Sequence, residues 1–419
     1  MKYKTLYGVI ALSLCTFSVS NSYARIKLIT LPVREHVEIQ LENENTTIIE
    51  EERIVPLRQG INDIDFSWHN TTIKPETIVF RVLPNTEPSN ASLKNTSLKI
   101  SVLSVSYPPN ESALTWKVSS NQNGSAKVRI TYAIERLNRS YHYIARVNND
   151  ESKMDMMQYI KINNQSGESY IDAYMNTGSG KNRVLPMGIN ETQEFLNQKY
   201  NAVPIDKTYT VNASELGYRN RAQDKLNVLM HYLLQNDTQH NLGKQSLASG
   251  KFRIYQQDKE GTAIFVGEDW GKYTAREDET KLFIGQARDI VVKRTIERKK
   301  RHRINGNLYN IDAVVKYEIE NFKDKQVDLI IEESIPLLRD EVFPSSQRVS
   351  RHRASYDDVN DSVIEWVVGD DTSFSGKPLK KLTSSQKIAY QITLPARTSH
   401  KKNVLKLENK LNINFKNEW

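Results

Sequence analysis

Three acidic residues are the carboxylates that the sequence offers for catalysis: the adjacent pair Glu268 and Asp269, and Asp289 directly after Arg288. Two carboxylates on one substrate are what glycoside hydrolysis requires. Successive residues of a β-strand point to opposite faces, which would separate Glu268 from Asp269 unless they lie in a turn. We therefore keep these three residues as catalytic candidates beside a structural alternative, in which the pair is solvated or caps a turn and Asp289 forms an ion pair.

Metal, nucleotide and nucleophilic chemistry have no comparable pattern in the sequence. The eight histidines are scattered without the short His-x-His or His-x-x-x-His spacing that is typical of zinc ligands. Nothing resembles a phosphate-binding glycine loop or a Gly-x-Ser-x-Gly nucleophile elbow. We therefore expect no cofactor and no metal site.

Two basic clusters each contain the sequence Arg-His-Arg, and their arginines are Arg301, Arg303, Arg351 and Arg353. Guanidinium groups at this density favour binding to phosphate or carboxylate groups, such as those of lipopolysaccharide, teichoic acid or an acidic polysaccharide. The alternative is that both clusters are solvated hairpin tips, where like charges block strand pairing. The four arginines are our anion-binding candidates.

The N-terminus has the layout of a secretory signal. Lys2 and Lys4 precede an apolar run, Leu6–Val19, and small residues surround a cleavage point after Ala24. The run is shorter than the roughly 20 residues that span a bilayer, so we expect cleavage rather than an uncleaved anchor. No later segment is a candidate membrane span. The sequence thus predicts a periplasmic or secreted protein.

Composition limits the remaining possibilities. Cleavage would remove Cys15, the one cysteine, so the mature chain must be stabilised by its core without disulfides. A length of 419 residues indicates more than one domain. With 58 basic and 50 acidic residues the surface is mixed in charge, which argues against a dedicated nucleic-acid binder.

Alternation of apolar and polar residues predicts strands along most of the chain, and therefore an all-β, multidomain β-sandwich protein. Val315–Ile319 and Val327–Ile331 are predicted to form a hairpin, as are Tyr159–Asn163 and Tyr170–Ala173. The first strand of each has a tyrosine followed four residues later by an asparagine, Tyr159 with Asn163 and Tyr317 with Asn321, which suggests two related sandwich halves. Six strands are predicted upstream, over Ile26–Leu31, Val37–Leu41, Thr46–Leu57, Ile61–Phe66, Ile78–Val82 and Leu98–Tyr107.

Two segments further along the chain are less regular. The region from Asn176 to Pro204 is rich in Gly, Asn and Gln, and we predict a long loop there with a short helix near Glu191–Lys199. Leu226–Leu234 fits a helix or a strand, and alternation favours the strand. Prolines near Ser112 mark a predicted boundary between an N-terminal β domain, residues 25–112, and a sandwich region, 113–419, possibly in halves 113–240 and 241–419.

The stretch from Leu242 to Arg294 carries a family resemblance. Its segments LGK at Leu242, SGKFRIY at Ser249, FVGED at Phe265 and IGQARD at Ile284 resemble the elements of the bacterial family defined by domain of unknown function 4139 (DUF4139), whose members include mucoidy-inhibitor-like proteins. The N-terminal portion resembles the leader of that family more loosely. The chain departs from the family at Trp270–Tyr273, and it lacks a long coiled-coil insertion.

The resemblance implies an extracytoplasmic β-sandwich protein of unassigned activity. Together with the signal segment it leads us to expect a noncatalytic interaction or scaffold module of the cell envelope, whose partner is an envelope protein or an anionic polysaccharide. The alternative is a carbohydrate-active hydrolase whose carboxylates converge from distant strands. A concave pocket that collects such carboxylates would distinguish the two.

Overall fold

The computed structural model describes residues 29–43, 46–84, 98–178, 182–213, 225–343, 364–397 and 406–418. Strands dominate these residues, and within them the one α-helix is α1 (Ile335–Val342). The predicted all-β class is confirmed. The chain divides into two compact units, which are Met1–Asn138 with Asn163–Glu191 (unit 1) and Arg139–Ile162 with Thr192–Trp419 (unit 2). The predicted signal segment, residues 1–24, lies outside the described ranges.

The strands in chain order are β1 (Ile29–Thr30), β2 (His36–Gln40), β3 (Thr47–Leu57), β4 (Gly60–Ser67), β5 (Val79–Val82), β6 (Ile100–Ser106), β7 (Ala113–Ser120), β8 (Gly124–Ile134), β9 (Leu137–Val147), β10 (Lys153–Asn164), β11 (Tyr170–Asn176), β12 (Arg183–Met187), β13 (Thr192–Pro204), β14 (Asp206–Asn212), β15 (Lys225–Gln235), β16 (Gly250–Gln257), β17 (Ala263–Gly271), β18 (Glu279–Asn305), β19 (Leu308–Asn321), β20 (Val327–Ser334), β21 (Trp366–Val368), β22 (Lys377–Pro378), β23 (Lys387–Leu394) and β24 (Lys406–Glu418). Short 3-10 helices occupy Pro75–Thr77, Thr238–His240 and Lys380–Leu382.

Unit 1 is a sandwich of two sheets. A four-stranded sheet has the order β1-β4-β7-β6, and a six-stranded sheet has the order β12-β11-β2-β3-β8-β5. Aromatic rings join their inner faces. The rings of Phe66 (β4) and Tyr132 (β8) lie 5.7 Å apart, and those of Phe80 (β5) and Trp116 (β7) lie 4.8 Å apart. Both distances are in the range that aromatic pairs prefer, so these side chains hold the two sheets together.

Unit 2 contains a five-stranded sheet, β13-β10-β9-β16-β17, and a nine-stranded sheet, β21-β24-β19-β18-β15-β14-β20-β23-β22. The larger sheet curls around its own core. Tyr317 on β19 donates a hydrogen bond to Glu333 on β20, although three strands separate β19 from β20 in the sheet. Helix α1 packs on the same core through Ile335, Leu338 and Val342.

A buried ion network fixes this core. Arg294 on β18 donates two hydrogen bonds of 2.9 Å to Glu333 and one of 2.8 Å to Glu341 on α1. The side chains of Arg294 and Glu333 are only 7% and 1% exposed. Because a charge buried this deeply is tolerated only when it is paired, the network ties β18, β20 and α1 into one arrangement.

Alternation predicted the upstream strands well. The six predicted segments correspond to β1 to β6, and Leu226–Leu234 lies within β15. The helix predicted near Glu191–Lys199 is wrong, because this segment belongs to β13, and the loop predicted around it also contains β12. Pairing with β10 decides the structure of β13, where Asn197 donates a 2.7 Å hydrogen bond to Gln158. Tertiary contacts of this kind outweigh local helix propensity.

The two predicted hairpins are wrong for a shared reason. β19 pairs with β18 and β24, whereas β20 pairs with β14 and β23. After β19 the chain turns away from its sheet neighbours at Asn321. The side chain of Asn321 accepts a hydrogen bond from the backbone N–H of Lys323 and donates to the carbonyls of Lys325 and Pro395.

Asn164 at the end of β10 makes the same pattern of bonds. It accepts from the backbone N–H of Ser166 and donates to the carbonyls of Glu168 and Gly188. β10 and β11 consequently lie in different sheets. Both crossings lead into a strand that pairs in parallel, β11 with β2 and β20 with β14. In both cases an asparagine at the end of the first strand therefore directs the crossing to the next strand. The residues are Asn321 on β19 and Asn164 on β10, which directly follows the matched Asn163.

The compact units follow a different division from the predicted domains. The turn that contains Pro108 joins β6 and β7, which pair in one sheet, so the predicted boundary at Ser112 falls inside unit 1. Unit 2 begins at Arg139 and takes in β9 and most of β10, whereas the predicted halves met at residue 240.

Candidate binding face on the five-stranded sheet

One side of the five-stranded sheet is buried and the other is solvated. On the buried side the rings of Tyr143 and Phe252 stack with centroids 4.0 Å apart. Side chains alternate along β16, so its outward residues are Lys251, Arg253 and Tyr255. Gly250 allows β16 to lie against β9, since a Cβ there would come within 2.4 Å of the Tyr141 carbonyl oxygen.

Strand register brings aromatic and basic side chains together on the solvated side. Lys251 is paired with Trp270 of β17 and with His142 of β9. His142 stacks on Tyr159 of β10, with centroids 5.1 Å apart and an interplanar angle of 6°. We define the aromatic–basic face by six outward residues of three strands, β10, β16 and β17: Tyr159, Lys161, Arg253, Tyr255, Phe265 and Trp270.

Two of the four aromatic rings of this face are exposed to solvent. Trp270 is 61% exposed and Phe265 is 54% exposed. Phe265 also makes an edge contact with Tyr255, at 5.5 Å between centroids. Burying such rings stabilises a protein considerably, so rings left in water on a flat sheet are available to a ligand.

The charges of the face are unevenly paired. Lys251 forms an ion pair of 2.9 Å with Glu268, and His142 lies 3.4 Å from Glu194. Neither Arg253 nor Lys161 has a carboxylate within ion-pair distance in the part of the chain that the structure describes. Both lie close enough to His142 to act on it. Burial lowers the pKa of His142, and the Arg253 and Lys161 charges lower it further against the opposing effect of Glu194. Arg253 and Lys161 therefore leave two positive charges of this face without an ion-pair partner among the described side chains, although Glu268 lies opposite Arg253 in register.

The predicted carboxylate pair is divided between the two sides of β17. Glu268 points outward to Lys251. Asp269 instead accepts hydrogen bonds from the backbone N–H of Phe283, at 2.7 Å, and of Trp270, at 2.8 Å. Because both oxygens of Asp269 are occupied by backbone donors, its role is to hold β17 to β18.

Asp289 lies in another part of unit 2. Its carboxylate forms a 2.5 Å ion pair with Lys323, whose ammonium lies 5.6 Å from the ring centre of Tyr209. The ammonium of Lys207, 5.9 Å from the centre of the same ring, pairs with Glu151 at 2.5 Å. Sequence reasoning missed Glu151 and Lys207, since residues that lie 56 positions apart give no spacing signal. Each carboxylate here has an ammonium partner, which is the arrangement of a structural cluster.

The arginines of the first basic cluster have defined contacts. Arg301 lies between the rings of Tyr309 and Phe343, at 4.3 and 4.4 Å from their centres. Arg303 donates a 2.6 Å hydrogen bond to the Gly306 carbonyl within the β18–β19 turn. Arg301 and Arg303 lie on one face of β18, as alternate residues do. Arg351 and Arg353 lie outside the described residues.

Among the described residues, histidine, cysteine, aspartate and glutamate side chains do not form a group of three or more that could hold a metal ion. His240 contacts Asp237 at 2.7 Å, and His231 lies edge-on against Phe283 at 5.6 Å. Within the same residues, no helix has the length and apolar character needed to cross a membrane.

Comparison of the sequence with known protein families gives no match, and a search of curated proteins likewise finds no relative. The interpretation of the aromatic–basic face therefore depends on its own geometry.

Proposed function

We propose that this chain is an exported, noncatalytic interaction protein of the bacterial cell envelope, and that it binds an envelope component through the aromatic–basic face. The observation that carries the proposal is the exposure of Trp270 and Phe265 on the same side of one sheet as Arg253 and Lys161. A sheet holds its outward side chains in fixed positions, so little ordering is needed when a ligand binds.

Two further features support a binding role over the hydrolase alternative. The candidate acids Glu268, Asp269 and Asp289 are held by Lys251, by backbone N–H groups and by Lys323, respectively. A general acid for glycoside hydrolysis needs a raised pKa. The carboxyl groups with shifted pKa values, Glu151 among them, are shifted downward. The signal segment and the family resemblance support the envelope as the compartment.

Sedimentation with isolated cell envelopes tests this function. The mature chain, residues 25–419, is incubated with envelopes of the bacterium that encodes it, and the bound fraction is measured as a function of protein concentration. We expect Trp270→Ala combined with Phe265→Ala to weaken binding about tenfold or more, which corresponds to about 1.4 kcal/mol.

A matched control removes exposed apolar side chains elsewhere. Tyr107 is 52% exposed and Ile171 is 78% exposed, and both lie in unit 1. The combination of Tyr107→Ala with Ile171→Ala should bind like the wild-type chain. If the two double variants bind envelopes equally well, the aromatic–basic face is not the interaction surface and the proposal fails.

A further inference from the structure

The aromatic–basic face has the chemistry of a site for one class of polymer. Building on the proposed function, we infer that its ligand is an acidic polysaccharide, with sugar rings on Trp270 and the Phe265–Tyr255 pair and with carboxylate groups on Arg253, Lys161 and Arg146. This site is distinct from the Arg-His-Arg clusters that the sequence singled out.

The rings supply flat apolar surface for the C–H faces of sugars. Trp270 and Phe265 lie on the same strand and on the same side of it, since their partners Lys251 and Tyr255 both point outward. Phe265 and Trp270 are five residues apart, with a register shift opposite Tyr255. A strand rises about 3.3 Å per residue, so the two rings are separated by roughly 15 Å along β17. This separation suits an extended chain that runs along the edge strand β17 better than it suits a single small molecule.

The cations provide charge complementarity to an anionic chain. Arg146 on β9 is paired in register with Tyr255, and it is exposed. Arg253 is exposed and is paired with Ile144, two residues before Arg146 on the same strand. Strands lie about 4.8 Å apart, so both guanidinium groups are within reach of a polymer on the rings. A guanidinium group matches the geometry of a carboxylate with two parallel hydrogen bonds.

Acids on the same side of the sheet favour a polysaccharide over a nucleic acid. Glu268, Glu194 and Asp155 are exposed there among the basic residues. A nucleic acid places one phosphate on every nucleotide, and proteins that bind it use continuous positive charge. A uronate glycan instead presents its carboxylates beside the apolar C–H faces of its sugar rings, which matches separate cations interspersed with exposed aromatic rings, the pattern of this face. Export would also keep the chain away from intracellular nucleic acids.

Isothermal titration with three polymers tests the inference on the mature chain. The probes are polygalacturonate as the acidic glycan, dextran as the neutral glycan and single-stranded oligo(dT). We expect polygalacturonate to bind and to weaken as salt rises from 20 to about 300 mM, because screening shortens the range of charge interactions to below about 10 Å. Dextran and oligo(dT) should bind at least tenfold more weakly.

Variants identify the side chains that bind polygalacturonate. Arg253→Gln combined with Lys161→Gln should weaken polygalacturonate binding about tenfold and remove most of its salt dependence, while Trp270→Ala weakens it to a similar extent at every salt concentration. Lys377→Gln combined with Lys380→Gln, which removes two exposed cations from another part of unit 2, should have no effect. Unchanged melting curves show that the variants fold.

The outcomes separate this inference from the proposed function. Equal binding of dextran, preferred binding of oligo(dT), or no polymer binding by a chain that still sediments with envelopes through Trp270 and Phe265 would overturn the acidic polysaccharide alone. If, in addition, the chain does not bind envelopes through Trp270 and Phe265, both the acidic polysaccharide ligand and the proposed function are overturned. Binding of polygalacturonate that the Arg253 and Lys161 double variant retains in full also contradicts the inference, because another surface is then responsible.

Discussion

At the scale of single residues, ionisable groups that look alike in the sequence have separate roles in the structure. Asp269 accepts two backbone hydrogen bonds, whereas its neighbour Glu268 faces solvent with Lys251. Arg301 covers two aromatic rings, whereas Arg253 has no carboxylate partner among the described side chains. Residue type alone could not distinguish these roles, because each depends on a partner from a distant strand.

His231 should make the stability of the protein depend on pH. Burial lowers the pKa of His231 to about 4, with Lys281 acting in the same direction and Asp269 against it. An unfolded histidine titrates near 6.5. The folded state thus binds fewer protons than the unfolded state between these values, so stability present above pH 6.5 is lost as the pH falls toward 4.

The prediction is a shallower pH dependence in His231→Gln. Urea unfolding from pH 7 to pH 4 measures it: the wild-type free energy of unfolding should fall more steeply than that of the variant. His302→Gln, at an exposed position on β18, should retain the wild-type slope. If His231→Gln and the wild type have parallel profiles, the side chain is protonated equally in both states and the prediction is wrong.

At the scale of elements, alternation located most strands but not their partners. β2 to β4 and β15 were predicted because one face of each strand is buried, which imposes a period of two on the sequence. Pairing was predicted from proximity along the chain, and this failed at Asn164 and Asn321, where side-chain hydrogen bonds turn the chain out of its sheet. The aromatic–basic face could not be predicted for the same reason, since its residues come from β10, β16 and β17, which the sheet brings together out of chain order.

Asn321 should be essential to the crossing between β19 and β20. It is 6% exposed, and its side chain makes three hydrogen bonds to the backbone. Asn321→Ala leaves buried backbone groups without partners, at a cost of about 1–3 kcal/mol for each that water does not reach. We expect a total loss of about 2–4 kcal/mol in the free energy of unfolding, measured by chemical denaturation.

A second asparagine provides the comparison. Asn307 is exposed in the β18–β19 turn, and Asn307→Ala should change the free energy of unfolding by less than about 0.5 kcal/mol. Equal stability of the Asn321 and Asn307 variants would show that the crossing is fixed by the packing of β19 and β20 rather than by this side chain.

At the scale of the whole molecule, stability without disulfides follows from the size of the cores. The nine-stranded sheet alone buries long alternating series such as Ile311, Ala313, Val315, Tyr317 and Ile319 on β19. A chain of this length buries a large share of its apolar surface on folding, so covalent cross-links are not required. The chain therefore needs no cysteine even in the oxidising compartment that we propose for it.

Export gives the last prediction, which combines the two N-terminal features of the sequence. The proposed cleavage after Ala24 would produce a mature chain that begins at Arg25 and lacks Cys15. N-terminal sequencing of the protein purified from the envelope or the medium should therefore start at Arg25, and its melting temperature should be the same with and without a reducing agent. A chain that starts at Met1, or one that begins with a lipid-modified Cys15, would contradict the cleavage site, and a melting temperature that falls on reduction would show that the thiol remains and is cross-linked.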